Sequence, residues 1–468
     1  MKFSQWLLAG FAGVQIVGTS FAAEDADSIE ALKQQIQLLD QKVRILERKR
    51  EHDLEAADAK AKTATKVSLG AGGFAVTSAD SNFVFKVRGY VQVDGRFYPS
   101  DRVDTTINDT FLMRRVRPIF EGTAYDQFDY RLMLDFGAQA TLSTANNALV
   151  QDAYVNARLA PEFQIQAGKF KEPVSLERLQ SGANLLFVER AYPTQLAPNR
   201  DVGVQLQGDL FNGALRYEAG LFNGVANGGS GDFETADRDK DFAGRLFATP
   251  FKNSDVDALR GLGFGVSGTY GNQQGALRSF ISEGAQRFFS YRTSTTAGNP
   301  NVLADGNHWR ALPHAYYYWG GFGLLAEYAV SSQEILQAGG GAGAGARERL
   351  THKGWQIAGS YFLSGEENSF KAVNPLRPVG GANGGWGAWE ITARVSGLDV
   401  DDDAFPIFAN PATAATAALT YGVGLNWHLN RNLKLTLNYG HTDFDAAPGN
   451  PYAVQSEDTL LTRVQFSF

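Results

Sequence analysis

The sequence contains no cysteine, which removes disulfides, zinc–thiolate centres and cysteine nucleophiles from consideration. Histidine is scarce. The six residues, His52, His308, His314, His352, His428 and His441, are scattered, and no hydroxyl nucleophile motif adjoins any of them. Hydrolytic triads need nucleophile, base and acid side by side, so an enzyme is only a remote alternative. Beyond the first two dozen residues no apolar run is long enough for a membrane helix. Net positive charge is lacking too: the formal charge of -7 argues against a nucleic-acid binder, so any basic feature must be made locally by placement. The acidic run "LDVDDD" (Leu398–Asp403) lacks the glycine and distal glutamate of an EF-hand and reads as a solvated loop. No cofactor is implied.

What is present begins with "MKFSQWLLAGFAGVQIVGTSFAAED", where Lys2, an apolar stretch from Trp6 to Val17 and small residues up to Ala22 and Ala23 follow the layout of a signal peptide. Residues 1–23 are therefore expected to be removed on export. Ile29, Leu32, Ile36, Leu39, Val43 and Leu46 then alternate at spacings of three and four, the seam of a short coiled coil that Arg50 interrupts. Its β-branched a positions lean towards a dimer, but a short coil tethered to larger subunits follows their symmetry. Ala56 to Ala64 reads as a polar helix tail or linker. The organisation is thus residues 24–66 for the coil and linker and 67–468 for the body.

The body alternates. In "FKVRGYVQVDGRFY" Phe85, Val87, Val91, Val93 and Phe97 share one face, while Lys86, Arg88, Tyr90, Gln92, Asp94 and Arg96 share the other. Segments of about ten residues repeat this pattern, the length at which a tilted strand crosses a bilayer. The 51 glycines and 32 phenylalanines suit many twisted strands joined by tight turns. Connections alternate between short ones, such as Phe211–Gly213 and Asn430–Asn432, and long ones, read as Lys171–Asn199, Asn272–His308, Ser331–Thr351 and Thr442–Asp458. Gly365–Gly385 is the exception, long on the short side, which leaves the strand count open by two. Trp319, Trp355, Trp389, Trp427 and Tyr439 at strand ends suit interface girdles. An Ig-like array would instead wet its polar faces. The reading is all-β: an antiparallel transmembrane β-barrel of about sixteen strands, preceded by a short helical coil. It sits in outer-membrane lipid of a Gram-negative cell, and Phe468 ends a last strand that closes on the first. A terminal aromatic on such a strand resembles the signal read by barrel-assembly machinery.

Polar parity assigns Arg88, Arg96, Arg115, Arg117, Arg131, Arg158, Arg216, Arg245, Arg394 and Arg463 to the lumen, together with Lys86 and Lys434. Asp94, Glu121, Asp129, Asp135, Asp152, Asp209, Glu218 and Glu390 share it. Arginine dominates, and its planar fork matches phosphate and carboxylate oxygens.

At "FLMRRVRPIFEGTAYDQFDYRLMLDF", "VQDAYVNARL", "QAGKFKEPVSLERLQSGANLLFVER" and "APNRDVGVQLQG" the sequence resembles the phosphate- and pyrophosphate-selective outer-membrane porins. The resemblance implies a homotrimer in which arginines feed a basic constriction, built partly by the third long loop, here Lys171–Asn199. It implies that Arg190 and Arg115 line the pore and that Arg178 stands where the family's phosphate-binding lysine lies. It implies too that Ser181 supplies a hydroxyl to the anion and that Asp152 is a nearby acid. The lysine has become Arg178, a second serine has become Gly182, and Arg117 replaces a tyrosine. On this reading inorganic phosphate, polyphosphate or another small anion diffuses passively. A general porin for small polar solutes, and a loop-anchoring salt bridge between Arg178 and Glu189, are the alternatives.

Overall fold

A computed structural model describes residues 24–70, 72–99, 108–137, 149–233, 238–294, 296, 298–341, 343–380, 384–447 and 456–468. The chain forms two compact units, residues 1–64 and 65–468. In the first, α1 (Glu24–Thr63) is one continuous helix, so Arg50 ends the apolar seam without ending the helix. Ala56 to Ala64 is its polar tail, and the seam residues Ile29, Leu32, Ile36, Leu39, Val43 and Leu46 are all exposed. The cleavage site expected after Ala22 or Ala23 lies outside the described residues.

In the second unit sixteen antiparallel strands close into a barrel. They are β1 (Val84–Phe97), β2 (Thr110–Ala124), β3 (Phe128–Asp135), β4 (Leu149–Ala160), β5 (Phe163–Lys171), β6 (Arg200–Leu210), β7 (Leu215–Phe222) and β8 (Asp241–Ala248). There follow β9 (Leu262–Ala276), β10 (Val302–Trp319), β11 (Phe322–Gln337), β12 (Arg347–Phe362), β13 (Ala388–Asp399), β14 (Ala415–His428), β15 (Leu433–Ala446) and β16 (Ser456–Ser467). Each pairs with its neighbours in sequence, and β16 pairs with β1 from Leu460↔Phe97 to Ser467↔Tyr90. Closure satisfies every edge, as a sheet in hydrocarbon requires. A hairpin of Lys66–Gly70 and Gly73–Thr77 adds to the lower part of β1, pairing Phe74 with Val87.

The expected lengths need correction. Strands run from 8 residues in β3 to 18 in β10, and the sequence reading placed three long loops too widely, Thr442–Asp458 giving up its ends to β15 and β16. Asn272–His308 and Ser331–Thr351 give up their flanks to β9–β12, leaving connections 277–301 and 338–346. Above the bilayer a strand keeps its ladder bonds but no longer needs an apolar outer face, so the alternation that marks it fades. The long connection at Gly365–Gly385 is real, spans 363–387 and stays on the short-turn side, so sixteen strands stand.

Outward-facing residues are apolar. Trp389 and Trp427 pair directly across β13 and β14 and stack at 4.8 Å, while Trp319 and Tyr439 are exposed on the same outer surface. Ile357, in the middle of β12, is 52% exposed to the surroundings of the barrel. Replacing it with arginine should cost about 2–4 kcal/mol, the toll of a charge near the bilayer midplane. Urea titration of folding into lipid vesicles measures this, with Ile357→Val as the neutral control.

Candidate functional site

The lumen is narrowed by the third long connection, residues 172–199, here called L3. It begins with Ser175 in the left-handed region (φ 67°), whose hydroxyl accepts from Arg178 N and starts a single helical turn, Leu176–Leu179. The Glu327 carboxylate of β11 accepts from Ser175 Oγ (2.9 Å), Leu176 N and Glu177 N (3.1 Å), using the free donors that open a helix. Further along, Asn438 accepts from Val188 N (2.7 Å), Asn426 donates to Leu186 O (3.0 Å), and Tyr192 meets Thr420 (2.8 Å). L3 is therefore bolted to β11, β14 and β15, and its other edge meets β1 and β16, where Gln92 donates to Gly182 O (2.8 Å) and Gln465 to Ala183 O (3.0 Å).

Two further segments fold inward that the sequence reading left as plain loops. In the fifth long connection (L5, 277–301) a small ribbon buries Phe280, Phe288 and Phe289 and exchanges two hydrogen bonds between Ile281 and Gln195 of L3. From the other rim, Phe370 stacks on Tyr316 at 5.8 Å, and its carbonyl accepts from Gln180 of L3 (3.2 Å). Phe280 and "RFFSY" inside a long polar loop were the available signal for L5.

The lumenal charges divide into two kinds. Most arginines are paired: Arg88 with Glu121 (2.5 Å), Arg117 with Asp135 (2.7 Å), Arg131 with Asp152 (3.2 Å), Arg200 with Asp152 (2.8 Å), Arg158 with Asp129 (3.1 Å) and Arg463 with Asp94 (2.6 Å). Four cations at L3 have no carboxylate within 4 Å among the described residues: Arg115, Lys171, Arg178 and Arg190. They donate instead to neutral oxygens. Arg115 reaches Gln92 (2.7 Å), Arg178 reaches Thr194 O, Arg190 reaches Glu177 O (3.2 Å) and Gln180 O (2.8 Å), and Lys171 shares Gln180 O (2.8 Å). Neutral acceptors orient a cation without cancelling it. Arg115 Nε and Arg178 Nε are buried with no acceptor among the described residues, a state buried donors rarely keep.

Burial, then the facing guanidiniums of Arg190 and Arg200, lowers Arg178 to about 9. Burial likewise lowers Arg190 to about 10, although Glu177 opposes it. Both stay charged at neutral pH, and the depression reflects cations crowded without a counter-ion. Burial alone would raise the Glu189 carboxyl, but Arg114 and Arg96 hold it well below the usual carboxylate range.

Glu189 corrects one alternative. It bonds Arg96 (2.5 Å) and Arg114 (2.8 and 3.1 Å), so the loop-anchoring salt bridge exists, but without Arg178. Arg114 itself escaped the parity reading. Arg115 opposes Gln92 and Met113 opposes Val93, leaving Arg114 as the extra residue of a β-bulge. The bulge turns both Arg114 and Arg115 inward and lets Phe111 and Met113 face out, 75% and 46% exposed. The break was visible in "FLMRRVR", where strict alternation would put Phe111 and Met113 in the lumen.

Three cavities flank L3. An outer vestibule of about 340 Å³ brings together Arg96, Arg114, Arg115, Arg178, Arg190, Arg278 and Arg287 with Glu189 and Glu283. Beneath it, about 300 Å³ is lined by Arg117, Arg131, Asp152, Lys171, Ser181 and Arg200. A third space, about 420 Å³, shares Tyr90, Arg131 and Ser181 with the second and adds Arg88 and Lys434 near the short-turn rim. Of the residues expected at the site, Arg115, Arg178 and Arg190 thus line one chamber, and Arg117, Arg131, Asp152 and Ser181 the next. Arg88 sits further down. Arg158 lines none of these spaces and is tied to Asp126 and Asp129 beside the turn after β2. Lys171, Arg200 and Arg278 were missed, because they stand at strand ends or in a loop where parity gives no direction.

The model of the phosphate-selective porins O and P matches residues 85–468. Porin O of Pseudomonas aeruginosa is 26% identical over 415 residues, covering 85% of this chain and 91% of that protein. Among solved structures, the outer membrane channel DcaP of Acinetobacter baumannii superposes with a TM-score of 0.51 at 11% identity, over 85% of this chain and 100% of that one. OmpT of Vibrio cholerae, in a trimer form, gives 0.51 at 11% identity over 82% and 99%. At such identity these structures speak for the barrel alone. The family match runs from the first barrel strand to the terminal phenylalanine, and on it the chain belongs to the phosphate-selective porin O and P family, porins of the outer membrane.

Proposed function

We propose that the chain is a passive channel for small anions, inorganic phosphate or polyphosphate foremost, with Arg115, Arg178, Arg190 and Ser181 at L3 as the selective station. One observation carries this: four cations converge on L3 without a carboxylate among the described residues, two of them with buried donors that have no acceptor there. Such donors favour an anion in the pore over water. Fixed positive charge also repels cations. Ser181 of the same loop is exposed in the chamber beneath, with Lys171, where it meets the ion on its way to the next arginines. Arg117, Arg131 and Arg200, partly neutralised by Asp135 and Asp152, form the next station, where weaker attraction allows release. Arg88 and Arg158, fully paired near the exit, act as lining. The chain works as a homotrimer after losing residues 1–23, with three copies of α1 joined through the exposed seam, and Phe468 is read by barrel-assembly machinery. No reaction is assigned.

Zero-current potentials across planar bilayers in a KCl gradient test the choice of ion, and phosphate titration of the chloride current tests the station. Anion selectivity with phosphate block is the expected result. Cation selectivity, or large currents indifferent to phosphate, would leave only a general porin. Ser181→Ala should weaken phosphate block roughly fivefold, the loss of one hydrogen bond of about 1 kcal/mol, without altering conductance in KCl alone.

A further inference from the structure

Beside the outer vestibule lies a chamber of about 410 Å³ that the anion path does not need. It is enclosed by residues 224–231, the upper ends of β9–β11 and L5. Its chemistry is unlike that of the vestibule. Among the described residues, seven arginines and two glutamates line the vestibule, whereas Arg278 is the single Lys, Arg, Asp or Glu lining the chamber. The remaining wall is polar and apolar by turns: Ser230, Gln274, His308 and Gln333, the amides of Asn227 and Gln273, themselves hydrogen-bonded to Ser331, Val225 and Asp241, the rings of Phe280 and Tyr291, and glycine backbone. Gly224, at φ +105°, turns the chain into this segment, and its backbone lines the chamber together with that of Gly229 and Gly231. Asn227 and Arg278 belong to both cavities, and Arg278 has no carboxylate within 4 Å among the described residues.

A bare, hydrated phosphate has no reason to leave the arginines for such a wall, since burying a charge without a partner is costly. A hydroxylated, uncharged body does, because amides, backbone and ring faces are how compact polar ligands are held in chambers of this size. We propose that the chamber seats the body of an organic phosphate, the ester of a sugar or small polyol, while Arg278 and Arg178 hold its phosphoryl group in the vestibule. This inference rests on the reading of the pore as a phosphate channel.

Chloride currents through the full-length channel, titrated separately with inorganic phosphate, glucose 6-phosphate and glucose, provide the test. The wild type should be half-blocked by glucose 6-phosphate at a concentration at least about tenfold below that for inorganic phosphate, and glucose alone should not block. Ala304→Phe places a ring into the chamber from a buried wall position. It should bring glucose 6-phosphate to the level of inorganic phosphate, whose own block stays put. Arg278→Gln, at an exposed loop position, should weaken the ester more than the inorganic ion and decides the matter if Ala304→Phe does not fold. Equal block by both phosphates in the wild type overturns the chamber. So does a persistent advantage of the ester in both variants, which would mark it as bulk obstruction. Block by neither phosphate overturns the phosphate reading beneath it.

Discussion

Exchanging both Arg178 and Arg190 for methionine should raise the half-blocking concentration of phosphate about a hundredfold or more and shift the zero-current potential towards non-selectivity. Each guanidinium offers an anion charge-assisted hydrogen bonds worth about 1.5–3 kcal/mol, and each 1.4 kcal/mol is tenfold. Neither charge is offset by a carboxylate, so its full field falls on the pore. Methionine preserves length and bulk, which separates loss of charge from widening. The informative companion is the pair Arg178→Lys and Arg190→Lys. Lysine keeps the charge but cannot hold Glu177 O and Gln180 O while presenting a planar fork. Retained anion selectivity with weakened phosphate block would assign the potential to charge and the block to geometry. Unchanged block in the methionine pair would remove L3 as the selective station.

A second large effect is expected at Glu189. Its carboxylate is the nearest counter-charge for Arg96, which is fully buried with Asp94 farther off at 3.8 Å, and the counter-charge for Arg114, which the bulge turns inward. Removing one partner of a buried pair costs about 3–5 kcal/mol, because the charges left behind are not compensated. Glu189→Ala should therefore loosen the attachment of L3 to β1 and β2. Single channels should show higher and noisier conductance, with a more anion-selective potential from the two released guanidiniums. The anchors to β11, β14 and β15 persist, so the loop should shift without unfolding and the barrel should still assemble. A quiet channel of unchanged conductance would mean that the remaining contacts of L3, those of Glu327, Thr420, Asn426 and Asn438 among them, suffice to position it.

The barrel was legible in the sequence because lipid and lumen impose opposite demands on successive residues, and every strand records them. Residues such as Val91, Gln92, Val93 and Asp94 could be placed by counting. Counting fails where the environment stops alternating. The upper parts of β9–β12 stand clear of lipid and were read as loops, and the bulge at Arg114 resets the count. L5 and the 363–387 segment fold inward through contacts with distant strands, which no local period encodes. Parity also gives the side of a charge but not its partner. It put Arg117 and Arg131 in the lumen, yet only three-dimensional placement shows them neutralised while Arg115 is not. The resemblance of the L3 stretch supplied Arg178, Arg190 and Ser181, and the structure adds Lys171, which carries the same unpaired character.

The hairpin at Lys66–Thr77 gives the closure of the barrel a further meaning. Phe468 exchanges hydrogen bonds with Gly89, and two residues further down the same strand Phe74 pairs with Val87. The last residue of the chain and one of the first in the sheet thus lie almost end to end along a single neighbour, like two planks butted against a third. A ring joined this way has its splice covered: a break starting at the terminal phenylalanine runs at once into a second segment held to the same strand. The early hairpin and the late strand share one template, and β1 is fully occupied only when β16 has paired with it.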